Sequence, residues 1–324
     1  MSRPREDGIV IGTLEPGPRN SIADVGVTVG HVTVERTGVT AVVPPSLPLP
    51  AGTAVLNGAG ELTGSLEIRE WGLLETPVYL TSTHAVGRVY DGAVAVAMAA
   101  DPRVGVDDVV IPVVGECDDS WLSDARAGHV QADDVARAVS AATPDFEQGA
   151  VGAGTGMSCF NWKGGIGSSS RRAGDHTVGV LLLTNFGTSE QLRVDGVPIG
   201  RLLGDRPDEM PDPGGSCIAV VATDAPLTPP QLERVARRAG LGLARAGSVA
   251  HHGSGEIFVA FATATERSFP DRELDPLFQA AVDASEEAVL CSLWAAVDTT
   301  GRENRLVRAL PREKVLELYR GRGR

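Results

Sequence analysis

Lysine is nearly missing from this chain: Lys163 and Lys314 are the only two among 324 residues. With 29 basic residues against 42 acidic ones and a formal net charge of −13, that scarcity argues against a phosphate-tracking surface and hence against a nucleic-acid partner. A cationic or amine-bearing ligand fits the balance better. Cysteine is sparse too, with Cys117, Cys159, Cys217 and Cys291 far apart and no C-x-x-C pair. Such spacing offers no metal site and suits reduced thiols in a cytoplasm. The segment Met1 to Gly12 lacks the apolar stretch of a signal peptide, and no apolar run is long enough to span a bilayer, so no membrane partner is expected.

What is present is 42% hydrophobic residues and 39 glycines, enough for one large core, so residues 1–324 are expected to form a single globular domain. Val25–Val34 and Thr37–Val43 alternate at period two and read as strands, followed by a proline-rich connection from Pro44 to Pro50. The glycine-dense Leu56–Gly64 opens into a short helical pattern through Trp71; Pro77–Thr81 is a strand, and His84–Ala100 a small-residue helix that should be packed. Val109–Val114 reads as a buried strand ending in Glu116, Cys117, Asp118 and Asp119. That acidic edge is a plausible amine site, or simply a solvated turn.

After a helix over Ala132–Ala142 comes Gly149–Met157, which resembles a dinucleotide loop superficially. Met157 stands where the third glycine of G-x-G-x-x-G belongs and no GK[ST] follows, so close backbone packing explains these glycines better and no cofactor is expected. Thr177–Thr184 is an apolar strand that delivers Asn185 to its end, where an amide can donate into a cleft.

The chain is organised around Gly214-Gly215-Ser216, where a proline- and acid-rich loop from Asp205 to Gly215, read as exposed, turns into the apolar run Cys217–Ala222. Thr228-Pro229-Pro230-Gln231 then starts a helix whose Leu232, Val235, Ala236, Ala239 and Leu243 share one face. It gives way near Gly247, and His251–Glu256 leads into a second apolar strand, Ile257–Ala262. A long helix through Leu274–Trp294 and a short one over Arg312–Tyr319 close the chain.

If the two apolar strands are neighbours, the helical crossover makes them parallel, and Ser216, Ser254 and Glu256 gather at one rim. Antiparallel strands would instead separate them by roughly 20 Å. Ser216 has no G-x-S-x-G or S-x-x-K context, and it reads either as a turn residue or as a nucleophile in need of a base. His251 and His252 are the nearest histidines, though a loop pair without a third ligand is more often structural. A cut between Gly215 and Ser216 would supply another base, a free α-amine with a reference pKa of about 7.7 to 8.0.

Eight stretches in order, NSIADVGVTVGHVTVE, RTGVTAVVP, LNGAGELTG, TPVYLTSTHAVG, GAVGAGTGM, TVGVLLLTNFG, SCIAVVATDAPLTPPQL and HHGSGEIFVAFAT, resemble the self-cleaving L-aminopeptidase/D-esterase peptidases, which include the β-peptidyl aminopeptidases. The resemblance implies an α/β fold, a four-layer αββα sandwich similar to that of the ornithine acetyltransferases. It also implies autocleavage into residues 1–215 and 216–324, hydrolysis of small peptides or amino-acid amides at a free amino terminus, and a homo-oligomer. By position, Ser216 matches the family's nucleophile, Ser254 and Glu256 the serine and glutamate that accompany it, and Asn185 the asparagine lining the oxyanion hole. Glu116, Asp118 and Asp119 are candidates for the substrate ammonium. TSTHAVG departs from the expected TNTHSVG, which bears on the substrate. Self-cleavage followed by action on linear amide oligomers or pantetheine-like amides, acyl transfer to an amine, or an uncut binding protein are the alternatives.

Overall fold

The computed structural model describes residues 3–204, 215–264, 266 and 268–321. Its first elements are β1 (Thr28–Val34), β2 (Thr37–Val43), β3 (Leu49–Gly58), α1 (Ser65–Trp71), β4 (Leu73–Leu74), β5 (Val78–Ser82), α2 (Val86–Ala100), β6 (Val113–Cys117) and α3 (Asp133–Ser140). There follow β7 (Ser158–Cys159), β8 (Trp162–Lys163), β9 (Gly165–Ala173), β10 (His176–Asn185), α4 (Ile199–Leu203), β11 (Ser216–Thr223), α5 (Pro229–Ala246) and β12 (Gly255–Ala262). The last are α6 (Asp275–Ala295), β13 (Thr299–Thr300), β14 (Leu306–Val307) and α7 (Arg312–Arg320).

Strands β1-β2-β5-β6 form one sheet and β4-β3-β12-β11-β10-β9 another. Their inner faces meet: Val29, Val42 and Leu80 of the first share a buried cluster with Leu181, Ile218, Val220 and Val259 of the second. Helices α2 and α3 cover the outer face of the four-stranded sheet, α5 and α6 that of the six-stranded one. These are the four layers, αββα, that the resemblance implied.

The uninterrupted apolar run of β11 follows from this layering. Cys217, Ala219 and Val221 face α5 and α6, while Ile218, Val220 and Ala222 face the opposite sheet. Neither face meets water, so the sequence shows no alternation. Each fully buried valine, leucine or isoleucine there contributes about 1.5–3 kcal/mol. Helix α5 carries the chain from β11 to β12 as expected, beginning where Gln231 Oε1 accepts from the Thr228 N–H at 3.0 Å and ending at Gly247 with φ 115°. β11 and β12 pair in parallel, Ser216 opposite Gly255. On their other sides lie β10 and β3, both antiparallel.

Some boundaries differ from the sequence reading. The strand expected at Val109–Val114 runs from Val113 to Cys117, and Val109 is 68% exposed, so Glu116 lies within the strand and not in a loop. The connection expected over Pro44–Pro50 ends earlier, because Leu49 and Pro50 already pair with Leu74 and Leu73. Helix α2 starts at Val86 and buries Val89, Gly92 and Ala93 only, so it is packed on one side. The exposed loop expected before Ser216 falls, from Asp205 to Gly214, outside the described residues.

Candidate active site

One rim of the six-stranded sheet collects four strand ends: the C-terminal ends of β3 and β10 and the N-terminal ends of β11 and β12. The register aligns Asn185 with Ser216, Ser216 with Gly255, and Gly255 with Gly58. From the other sheet β6 brings Glu116 to the same spot. A Cβ built on Gly60 would stand 3.0 Å from Glu116 Oε1, 3.6 Å from Ser216 Oγ and 3.5 Å from Gly255 Cα. The glycine therefore leaves open the space between carboxylate and hydroxyl.

Ser216 is 6% exposed, and its Oγ lies 3.3 Å from the Gly255 backbone N–H. The same N–H donates to the Gly215 carbonyl oxygen at 3.1 Å. Gly215 has no room for a side chain, because a Cβ would fall 2.0 Å from the Asn185 carbonyl oxygen. Beside them the Ser254 hydroxyl donates to Glu256 Oε1, while Glu256 Oε2 is buried and has no hydrogen-bond partner among the described residues. Burial pushes the Glu256 carboxyl above its ordinary value, and the Ser254 hydrogen bond opposes the rise.

Asn185 is held at both ends of its amide: Oδ1 accepts from the Ser158 N–H at 2.9 Å, and Nδ2 donates to the Asp118 carbonyl at 2.7 Å. Glu116 accepts from the Glu61 N–H at 2.9 Å and from the Thr83 hydroxyl. Burial raises its carboxyl nonetheless, with Asp118 and Glu61 adding to the rise. The three acids thus part company. Glu116 borders Ser216; Asp118 is exposed and meets Asn185 through its backbone; Asp119 is 2% exposed and turned inward against Gly156.

His251 and His252 supply backbone carbonyls to this site, and the His251 imidazole is engaged by Gln191. Their carbonyls lie 3.1 and 3.2 Å from Asn57 Nδ2, whose two N–H bonds they share with the Ser254 carbonyl, and His251 Nε2 lies 3.1 Å from Gln191 Oε1. Asn57, Thr83 and Ser158 escaped the sequence reading, although Asn57 and Thr83 lie in two of the quoted stretches, LNGAGELTG and TPVYLTSTHAVG. The four cysteines are free and buried, and burial raises all four thiols. Among the described residues no three of His, Cys, Asp and Glu group to hold a metal ion, and no helix is long and apolar enough to cross a membrane.

Residues 20–307 match peptidase family S58. The beta-peptidyl aminopeptidase BapA of Sphingosinicella microcystinivorans is 37% identical over 360 residues, spanning 94% of this chain and 90% of the relative. Among solved structures, the PH0078 protein of Pyrococcus horikoshii OT3 superposes with a TM-score of 0.96 at 42% identity, over 100% of both chains. The L-aminopeptidase D-Ala-esterase/amidase of Ochrobactrum anthropi, described as a prototype for the serine aminopeptidases and a variant of the Ntn hydrolase fold, does so with a TM-score of 0.92. It is 34% identical, over 100% of this chain and 99% of its own.

Proposed function

The chain belongs to peptidase family S58 and is a hydrolase that acts as an aminopeptidase, and from that premise we propose that Ser216 is its nucleophile, freed as a new amino terminus by a cut after Gly215. The parallel register of Ser216 with Gly255 carries the reading, because it brings Ser254 and Glu256 beside a strand-initial serine.

In the first step Ser216 Oγ attacks the Gly215 carbonyl carbon. A C–O bond forms, the C–N bond to Ser216 breaks, and the proton lost from Oγ passes to the departing nitrogen, which becomes an amine. Water then cleaves the ester and leaves Gly215 as a carboxylate. The Gly255 N–H, already 3.1 Å from the Gly215 oxygen, is aimed where negative charge develops. In the mature enzyme the Ser216 α-amine takes the proton from its own hydroxyl, with Ser254 as relay. Glu256 Oε2, without a hydrogen-bond partner among the described residues, is an acceptor for the ammonium that results. Asn185 Nδ2 donates to the oxyanion of the substrate.

Glu116, next to the nucleophile, receives the substrate ammonium; exposed Asp118 adds negative charge at the rim, and Asp119 from its buried position contributes less directly. The substrates we propose are small peptides, amino-acid amides and esters, β- or D-amino acid forms included, in keeping with the names of the relatives. Free, buried thiols suit a cytoplasmic setting. Apolar side chains exposed at Met98, Val106 and Val109 suit an assembly of several copies. Intact-mass measurement of purified protein tests the core of the proposal. Wild type should give two masses that meet at Gly215/Ser216 and Ser216→Ala one; an uncut wild type that hydrolyses amino-acid amides overturns it.

A further inference from the structure

Lys163 is wholly buried, a rare state for a lysine, and its surroundings explain how. Its Nζ donates to the carbonyls of Gly154 at 3.0 Å, Met157 at 2.6 Å and Gly164 at 2.8 Å. Burial lowers the pKa of the Lys163 ammonium to about 7, but its three acceptors call for three N–H bonds, which the ammonium has and the neutral amine lacks, so this geometry favours the charged form. One of the three carbonyls belongs to the peptide group that joins Met157 to Ser158. The N–H of that same planar group is the one that holds Asn185 Oδ1 at 2.9 Å.

From this chain of contacts we infer that Lys163 is a positioning residue for catalysis: through the Met157–Ser158 peptide it fixes and polarises the Asn185 amide. A cation on the carbonyl oxygen strengthens the N–H of its peptide as a donor, and that N–H in turn draws electron density from the Asn185 amide. Orientation follows from the same contacts. With Oδ1 committed to Ser158, a flipped amide would set donor against donor at Ser158 and acceptor against acceptor at the Asp118 carbonyl. Nδ2 therefore keeps one hydrogen on Asp118 and has its second for an oxyanion. Lys163 touches no reacting atom in this account, and its role rests on the reading of Asn185 as the oxyanion donor.

The test is a double-mutant cycle on mature enzyme with an amino-acid p-nitroanilide as substrate. Lys163→Met should lower kcat about tenfold or more, less than the roughly 10²–10³-fold cost of deleting an oxyanion donor, and leave KM near its wild-type value. In an Asn185→Ala background Lys163→Met should cost little more. Losses that multiply in the double variant, or an unchanged kcat, overturn the role of Lys163. A kcat that survives Asn185→Ala overturns instead the reading on which it rests. Lys163→Gln, which keeps two N–H donors without the charge, should show the same pattern to a smaller degree if Lys163→Met does not mature. In wild type, which needs no substitution, the Ser158 amide should exchange its hydrogen slowly, and exchange at the rate of an open loop overturns the relay.

Discussion

Asn185 and Ser216 face each other as the last residue of β10 and the first of β11, paired across an antiparallel ladder. One backbone register therefore sets the distance between the proposed oxyanion donor and the proposed nucleophile. Side-chain rotamers then only have to aim groups that the sheet has already brought together.

Asn185→Ala should leave the fold and the substrate KM largely intact while lowering kcat roughly 10²–10³-fold, about 2.7–4 kcal/mol of transition-state stabilisation. Steady-state kinetics on the mature variant checks this; a loss confined to KM would assign Asn185 to ground-state binding instead.

Glu116→Gln removes the carboxylate beside Ser216 Oγ but keeps an amide oxygen for the Glu61 N–H, while its amide nitrogen replaces the oxygen at the Thr83 hydroxyl, which can turn from donor to acceptor. Charge-assisted hydrogen bonds contribute about 1.5–3 kcal/mol, so kcat/KM for substrates with a free amine should drop roughly 10- to 150-fold. Amine-blocked substrates, poor to begin with, should be equally poor for wild type and variant. An equal fractional loss on both would locate the effect elsewhere.

Asn57→Ala removes the amide whose two N–H bonds are shared among the carbonyls of His251, His252 and Ser254. Self-cleavage should slow, because Ser254 and the Gly255 N–H lose their anchored loop, and stability should fall by about 1–2 kcal/mol. A time course of fragment appearance on denaturing gels, beside a thermal melt, reads both.

Burial lifts the Asp119 carboxyl from 3.8 to about 7; Asp118 adds to the rise, while the Thr37 hydroxyl and the Lys163 charge oppose it. An acid raised in this way favours the folded state while it is protonated. That contribution is whole below pH 3.8 and is lost as the pH climbs to about 7. Asp119→Asn keeps the neutral form throughout, so its Tm relative to wild type should rise between pH 4 and pH 8. A gap that stays constant across that range would show that Asp119 titrates like an exposed carboxylate.

The unit from β11 to β12 was legible because each of its parts announces itself locally. Two runs apolar on both faces, a proline at the helix start with Gln231 three residues beyond Thr228, and a glycine at the helix end leave little choice of topology. Strand β9 was not legible. Its sequence, Gly165-Ile166-Gly167-Ser168-Ser169-Ser170-Arg171-Arg172-Ala173, is polar, yet all but Arg172 are buried. The cost is met by distant partners: Ser168 Oγ donates to the Val180 carbonyl and Ser169 Oγ to the Ala284 carbonyl, each at 2.7 Å, and Arg171 pairs with Glu287. Hydropathy cannot see such partners. For the same reason Glu116, Asp118 and Asp119, at and just beyond the end of β6, looked alike in the sequence, while the structure separates them by which neighbour each one meets. That Ser216, Ser254 and Glu256 gather at one rim could be anticipated, on the condition that the two strands are neighbours, because all three belong to one crossover, and β11 and β12 do pair in parallel.

The position of β11 and β12 in their sheet governs what scission after Gly215 would do to the particle. Both strands come from the smaller product, and both are flanked by strands of the larger one, β10 on one side and β3 on the other. The two polypeptides would be interleaved like cards in a deck. They would migrate together on a sizing column, resist dilution, and separate only when the whole sheet is melted.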